Sequence, residues 1–195
     1  MKKLAVILIF FFFTIQESVV NAYSSNPKEF VTELVNDAIN NLSSKDLNKD
    51  EKENFIKNLA LDNVDITALG LYTLGELRKS ADKSSIDKYQ LAFQKYFLKS
   101  LTSRLTDYSS KTFEVISEEK KSSNYTIVKS RIIKTENQPE IKIDWRIYTK
   151  NPQKPLIRDL IVEGLSLART QKEEFASILS SNNNDIQILI ERLNE

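Results

Sequence analysis

The chain has no cysteine and no histidine. Their absence excludes disulfides, thiol nucleophiles, histidine-based triads and the common zinc ligand sets. Glycine is nearly as scarce: Gly70, Gly75 and Gly164 are the only three. No phosphate-cradling glycine loop can be assembled from them. A metal site would need carboxylates alone, and a catalytic site would need Asp, Glu, Lys, Tyr or Ser. No catalytic residue, no metal ligand and no cofactor is therefore expected. The composition points to a protein that binds something and does not transform it. An excess of charge of one sign is also missing, with 28 Lys and Arg against 27 Asp and Glu. Nucleic-acid binders usually carry a basic excess, so nucleic acid is not an expected partner.

Only one long apolar run is present. Lys2 and Lys3 precede an unbroken stretch from Leu4 to Phe13, and Val20-Asn21-Ala22 follows with modest side chains. That is the layout of a secretory signal peptide over residues 1–22. The rival is an uncleaved membrane anchor, but the run is about half of the roughly 20 residues that a bilayer span requires. No Cys follows the leader to carry a thioether lipid. Residues 23–195 are then read as a single domain, whose basic and acidic side chains balance once Lys2, Lys3 and Glu17 are set aside.

After the leader the apolar residues keep helical spacing. Asn26-Pro27 supplies a cap and a first-turn proline, and Phe30, Val31, Leu34, Val35, Ala38, Ile39 and Leu42 form one stripe. Ser43 to Glu51 reads as a turn. Phe55, Ile56 and Leu59 resume the helical period, and Ile66 to Arg78 is a denser helix, apolar on more than one face. Asp82 caps a long helix over about 83–108. Its stripe is Ile86, Tyr89, Phe93, Phe97, Leu101, Leu105 and Tyr108.

The period then changes to two. Strands are expected at Thr112–Ile116, Tyr125–Lys134, Ile141–Tyr148 and Leu156–Glu163, with 119–124 and 137–139 as turns. Ile141, Ile143, Trp145 and Ile147 alternate with Lys142, Asp144, Arg146 and Tyr148. Helices are expected over about 170–179 and 185–193. Sequential strands with short links make a four-stranded antiparallel meander. With helices before and after it, the fold class is α+β. The stripe of the long helix is expected to cover one sheet face.

Four stretches resemble a known family. They are Leu74-Gly75 with Arg78-Lys79-Ser80-Ala81, the long helix with Tyr89, Phe93, Tyr96, Leu98 and Leu105, the strand pair around Ile127–Ile132 and Ile143–Arg146, and Arg158-Asp159-Leu160-Ile161-Val162-Glu163-Gly164-Leu165-Ser166-Leu167. The last is the most specific: an Asp, a Glu-Gly, an apolar residue and a Ser where the final strand ends. Together they resemble the MlaC family, the periplasmic component of the maintenance-of-lipid-asymmetry pathway, once described as toluene-tolerance proteins. The family usually opens its final strand with Trp, where this chain has Lys154-Pro155-Leu156.

The resemblance implies an NTF2-like sheet packed on helices around an apolar pocket for phospholipid tails. It implies a soluble monomeric carrier in the periplasm, and no enzymatic activity. Its partners would be phospholipid, an outer-membrane lipoprotein complex, and an inner-membrane ABC transporter with its periplasmic substrate-binding ring. The residues expected to line the pocket are Leu69, Leu74, Phe93, Phe97, Leu101, Leu105, Ile127, Ile143, Trp145, Ile147, Leu160 and Val162. The plainer alternative is that these side chains form a solid core. Arg131, Lys142 and Arg146 would lie near the head group or on the solvated sheet face. Asp159, Glu163 and Ser166 are read as structural, bonding backbone amides or a nearby Arg and capping the last helical region, and Gly164 as supplying an unusual backbone angle. Two further readings stand beside the carrier. One is an NTF2-like enzyme using Asp144 with Tyr148 or Tyr108; the other is a binding module or chaperone for envelope proteins.

Overall fold

A computed structural model describes residues 23–106, 112–136 and 139–195. The expected leader, the turn residues 137–138 and Tyr108 lie outside the described residues. Helix α1 (Pro27–Ser43) begins where the cap signal placed it, with the Asn26 side chain accepting from the amides of Lys28 and Glu29. Helix α2 (Lys49–Asn63) starts on a capping box, in which Asn48 and Glu51 each bond the other's backbone N–H. Helix α3 (Ile66–Thr73) is capped by Asp65, and the long α4 (Lys83–Leu105) by Asp82. The dense helix expected over Ile66–Arg78 is interrupted. Gly75 takes φ +63°, a left-handed value that ends α3, and a 3-10 turn over Gly75–Lys79 follows.

Strands β1 (Phe113–Ser122), β2 (Tyr125–Ile132), β3 (Ile141–Tyr148) and β4 (Leu156–Val162) form the expected antiparallel meander. A fifth strand, β5 (Leu165–Ser166), adds two residues at the β4 edge. Helices α5 (Leu167–Ser180) and α6 (Ile186–Asn194) end the chain. The α+β class stands, with five strands where four were expected. Strand β1 is twice the expected length because the charged segment Glu118–Lys121 is paired and not looped. On an edge strand such charges cost nothing, since water reaches them, and they discourage pairing with a second chain.

Register assigns the two sheet faces. Val128 pairs with Trp145 and Trp145 with Leu160; Thr126 pairs with Ile147 and Ile147 with Ile157. Paired residues share a face, and this face packs against α1 through Phe30, Val31 and Leu34. The aromatic stripe of α4, expected on the sheet, lies elsewhere. Tyr89, Ala92 and Phe93 pack with Ile66 and Leu74 on the α3 side and with Phe175, Leu179, Leu189 and Leu193 of α5 and α6. Phe93 meets Phe175 edge-on at 6.3 Å between ring centroids. The domain thus has two apolar clusters, one helical and one between α1 and the sheet, with Val64 touching both.

Burial of Tyr89 in the helical cluster pushes its phenol well above the ordinary value, partly offset by its hydrogen bond with Thr73. Tyr23 is raised too, by burial and then by its bond to Asp37. A phenol raised in the folded state contributes full stability below its unfolded pKa of about 10 and loses it as pH climbs through the higher folded value. The urea midpoint is therefore expected to hold between pH 7 and 9 and fall above about 10. In Tyr89→Phe the fall should be shallower; an equal slope would mean that Tyr89 does not carry it.

Candidate functional site

Helix α1 covers only part of its sheet face. Ile147 and Val128 are fully buried, and Trp145 retains 8% exposure. Beyond that row the face continues. Ser130 pairs with Ile143, Ile143 with Val162, and Val162 with Leu165; Phe113 pairs with Ile132 and Ile132 with Ile141. Every residue in these two rows except Ser130 is apolar. Ile132, Ile141, Ile143 and Val162 are half-buried, and Leu165 is 68% exposed. Ile132, Ile141 and Val162 belong to neither apolar cluster. The last two turns of α4 behave the same way. Leu101 and Leu105 are half-buried and outside both clusters.

The single polar side chain on this wall is neutralised within the protein. Ser130 is 1% exposed. Its hydroxyl donates to the Ile143 carbonyl at 2.8 Å and accepts from the Trp145 indole N–H at 2.9 Å. No unpaired donor or acceptor is offered to whatever meets the wall.

The edge of the wall is held by the residues of the Asp159–Leu167 stretch. Asp159 is buried and its carboxylate accepts from the Ser166 hydroxyl at 2.6 Å and the Ala168 amide at 3.0 Å. Arg146 stands 3.6 Å away. Ser166 caps α5 through the Arg169 amide. Glu163 accepts from the Lys142 amide and its own amide donates to the Lys142 carbonyl. Gly164 takes φ +83°. These groups are structural, as the sequence suggested.

The opposite sheet face is of another kind. It and helices α3 and α5 enclose a cleft of about 820 Å³, lined in part by Leu69, Tyr72, Ile127, Lys129, Asp144 and Arg146. A bulge between Arg146 and Ile147 inserts Arg158. Its guanidinium lies 3.4 Å from the Tyr148 ring centroid and bonds Asp65 and the Tyr125 hydroxyl. Charges here are met by charges: Glu119 by Lys121, and Arg131 by Glu114 and Glu140. These charged pairs lie beside an apolar part of the lining, formed by Leu69, Tyr72, Ile127 and Ile161.

The expected lining residues therefore divide. Leu74 and Phe93 are buried in the helical cluster, and Leu69 and Phe97 pack on it. Trp145 and Ile147 are buried against α1, with Ile143 and Leu160 packed on that cluster. Ile127, grouped with them in the sequence reading, pairs with Arg146 and faces the other way, into the cleft that Leu69 also lines. Ile143 and Val162 remain on the half-covered wall, and Leu101 and Leu105 are half-buried at the end of α4, outside both clusters. Ile132 and Ile141 join the wall, and the exposed Leu165 stands outside it at its edge; their signal in the sequence was an apolar residue at each strand end. Arg146 lines the cleft, and Arg131 and Lys142 pair across neighbouring strands. The Asp144–Tyr148 pairing is not assembled. The two lie four residues apart on one strand, about 13 Å at the usual rise, and Tyr148 is covered by Arg158.

The family model for the MlaC protein matches residues 28–195. The chain belongs to the MlaC family. No curated protein matches the sequence. Among solved structures, one described as a phospholipid-binding protein from Ralstonia solanacearum in complex with a phospholipid is similar in fold. The TM-score is 0.70 over 88% of this chain and 95% of that chain, at 18% identity. The matched region of this MlaC-family chain takes in both apolar clusters and the half-covered wall. Among the described residues, no helix is long and apolar enough to cross a membrane. Among the same residues, no group of three or more acidic side chains is placed to hold a metal ion.

Removing the Ser130 hydroxyl would leave the Trp145 indole N–H without its partner. Ser130→Ala is expected to cost about 1–3 kcal/mol, read as a lower urea midpoint. Trp145 is the single tryptophan, so its emission should move to the red in the folded variant as water reaches the indole; unchanged emission and stability would show that the bond is dispensable.

Proposed function

We propose that this MlaC-family protein carries a phospholipid through the periplasm, taking the tails against the half-covered wall formed by Ile132, Ile141, Ile143 and Val162, with the half-buried Leu101 and Leu105 of α4 also meeting them. The observation that carries the reading is the wall itself: apolar, continuous across four strands, without an unpaired polar group, and extending beyond both cores at Ile132, Ile141 and Val162. The similar Ralstonia protein, described in complex with a phospholipid, supports the choice of ligand.

The energetics set what such a site has to do. Each buried CH₂ is worth about 0.8 kcal/mol, so two tails of roughly 16 carbons cost on the order of 25 kcal/mol to expose to water. Most of their length must be sheltered, and the half-covered sheet face offers an apolar side to lie against. The head group stays at the rim in water, which requires no phosphate site in the protein. No step of bond making or breaking is called for, and the protein acts as a carrier and not as an enzyme.

Within that reading residues 1–22 act as a cleaved signal peptide, and residues 23–195 work as a monomer. The donor and acceptor are an outer-membrane lipoprotein complex and an inner-membrane ABC transporter. The ATPase belongs to that transporter, since this chain has no phosphate-cradling loop.

Organic extraction of the purified protein, followed by mass spectrometry, is expected to return phospholipid at about one molecule per chain; an extract without phospholipid overturns the proposal. Leu105→Asp places a charge where tails would lie. It should lower the bound phospholipid more than tenfold while the far-ultraviolet circular dichroism is kept.

A further inference from the structure

We propose that the row Ile143–Val162–Leu165 is the passage by which an acyl chain enters and leaves the wall, and that Leu165 is its outermost step. This rests on the carrier reading above.

The row is continuous by register. Ile143 pairs with Val162, and Val162 with Leu165, so the three side chains project side by side from one face. Exposure rises along the strands and then along the row. Trp145 is 8% exposed, Ile143 and Val162 are half-buried, and Leu165 is 68% exposed. An isolated exposed leucine on a surface needs no explanation. A leucine that ends an unbroken apolar row does, because the row joins the most buried part of the wall to open water.

The backbone at this point is constrained. Glu163 and Gly164 both have positive φ, 50° and 83°. Two successive left-handed residues make the tight two-residue hairpin turn that favours Asn-Gly, and glutamate is a poor choice for its first position. Here the glutamate is tied down on both sides, its carboxylate accepting from the Lys142 amide and its own N–H donating to the Lys142 carbonyl. On the far side of Leu165, Ser166 donates to the buried Asp159 and caps α5. The leucine is thus fixed from both flanks in register with Val162, and does not swing on a loose loop. A chain leaving the wall would pass from Ile143 to Val162 to Leu165 without crossing a polar side chain. The desolvation barrier would then be met in small increments.

The ligand class is a diacyl phospholipid, whose tails match the row and whose head group needs only the solvent beyond Leu165. The cleft on the opposite face is separate from the row, because its strand residues Ile127, Asp144 and Ile161 point the other way.

The test separates occupancy from rate. The purified protein is loaded from vesicles of phosphatidylethanolamine and phosphatidylglycerol containing pyrene-labelled phosphatidylglycerol, and transfer to unlabelled vesicles is followed by excimer loss. Leu165→Ser should leave bound phospholipid per chain unchanged and slow transfer roughly fivefold, since it puts a polar step at the end of an apolar path. Leu165→Met should restore most of the rate. Leu91→Ser removes a leucine of similar exposure, 72%, outside the row, and should transfer as the wild type does. Equal rates for Leu165→Ser and wild type overturn the passage, as does equal slowing by Leu91→Ser. Loss of bound phospholipid in Leu165→Ser also overturns it, because Leu165 would then hold the ligand instead of passing it. A wild-type protein that takes up no labelled lipid counts against the carrier reading itself, which keeps the two failures apart.

Discussion

A sheet with one apolar face has to have that face covered, and in this protein the cover is shorter than the sheet. Phe30, Val31 and Leu34 of α1 seal the rows of Ile147 and Trp145. Burying side chains of that size contributes about 1.5–3 kcal/mol each, enough to fix α1 where it lies. The strands continue for two more rows, because the backbone ladder between β2 and β3 runs unbroken from Tyr125 to Ile132. Those rows carry isoleucine and valine, and the α1–sheet cluster takes in only Phe113, Val115 and Ile143 from them. The excess of apolar sheet over covering helix is the constraint from which the candidate site follows. Contiguous apolar surface that the rest of the fold covers only in part is the kind that marks an interaction site.

The other helices cannot make up the difference, because their apolar faces are already committed. The α4 stripe is used on α3, α5 and α6, where Tyr89 and Phe93 are nearly inaccessible. Leu101 and Leu105 are left half-buried outside the helical cluster. The opposite sheet face is stabilised by a separate logic of paired charges and an arginine stacked on tyrosine. The two faces meet at Asp159, buried in β4, which fastens the sheet to the first turn of α5. A buried carboxylate with one hydroxyl and one amide donor is held tightly, since losing either would leave a desolvated charge. The position of the wall's edge is therefore set by a polar anchor and not by the apolar residues it frames.

Much of this was legible in the residues. Asn26, Asp82 and Ser166 announce helix starts, because a side-chain oxygen placed just before an apolar-periodic segment satisfies orphan amides. The strict alternation of Ile141–Tyr148 names the two faces of β3 before any register is known. What the sequence could not supply is which stripe meets which face. A period of 3.6 says that one side of α4 is buried, but α1 has an equal claim on the sheet, and a stripe carries no label for its partner. Which face Ile127 takes was hidden for a similar reason. In β2 the neighbours Ile127 and Val128 are both apolar, so alternation is lost, and only the pairing with Arg146 shows which way Ile127 points. The charged half of β1 reads as loop by composition because composition reports solvation, and an edge strand is solvated as fully as a turn.

For a carrier, the chemistry of the wall also limits what it can select. Hydrocarbon side chains reward each CH₂ of a tail by about the same amount that a bilayer does. Lengthening a tail then stabilises the bound and the membrane states together, and the difference that governs loading and release barely moves. Ser130 could have broken this symmetry by offering a hydrogen bond, but its hydroxyl is spent on Ile143 and Trp145. A wall of this kind can neither trap a long chain nor read a head group. Discrimination between phospholipids would have to arise at the rim, where the last apolar row gives way to water, or in the proteins that load and unload the site.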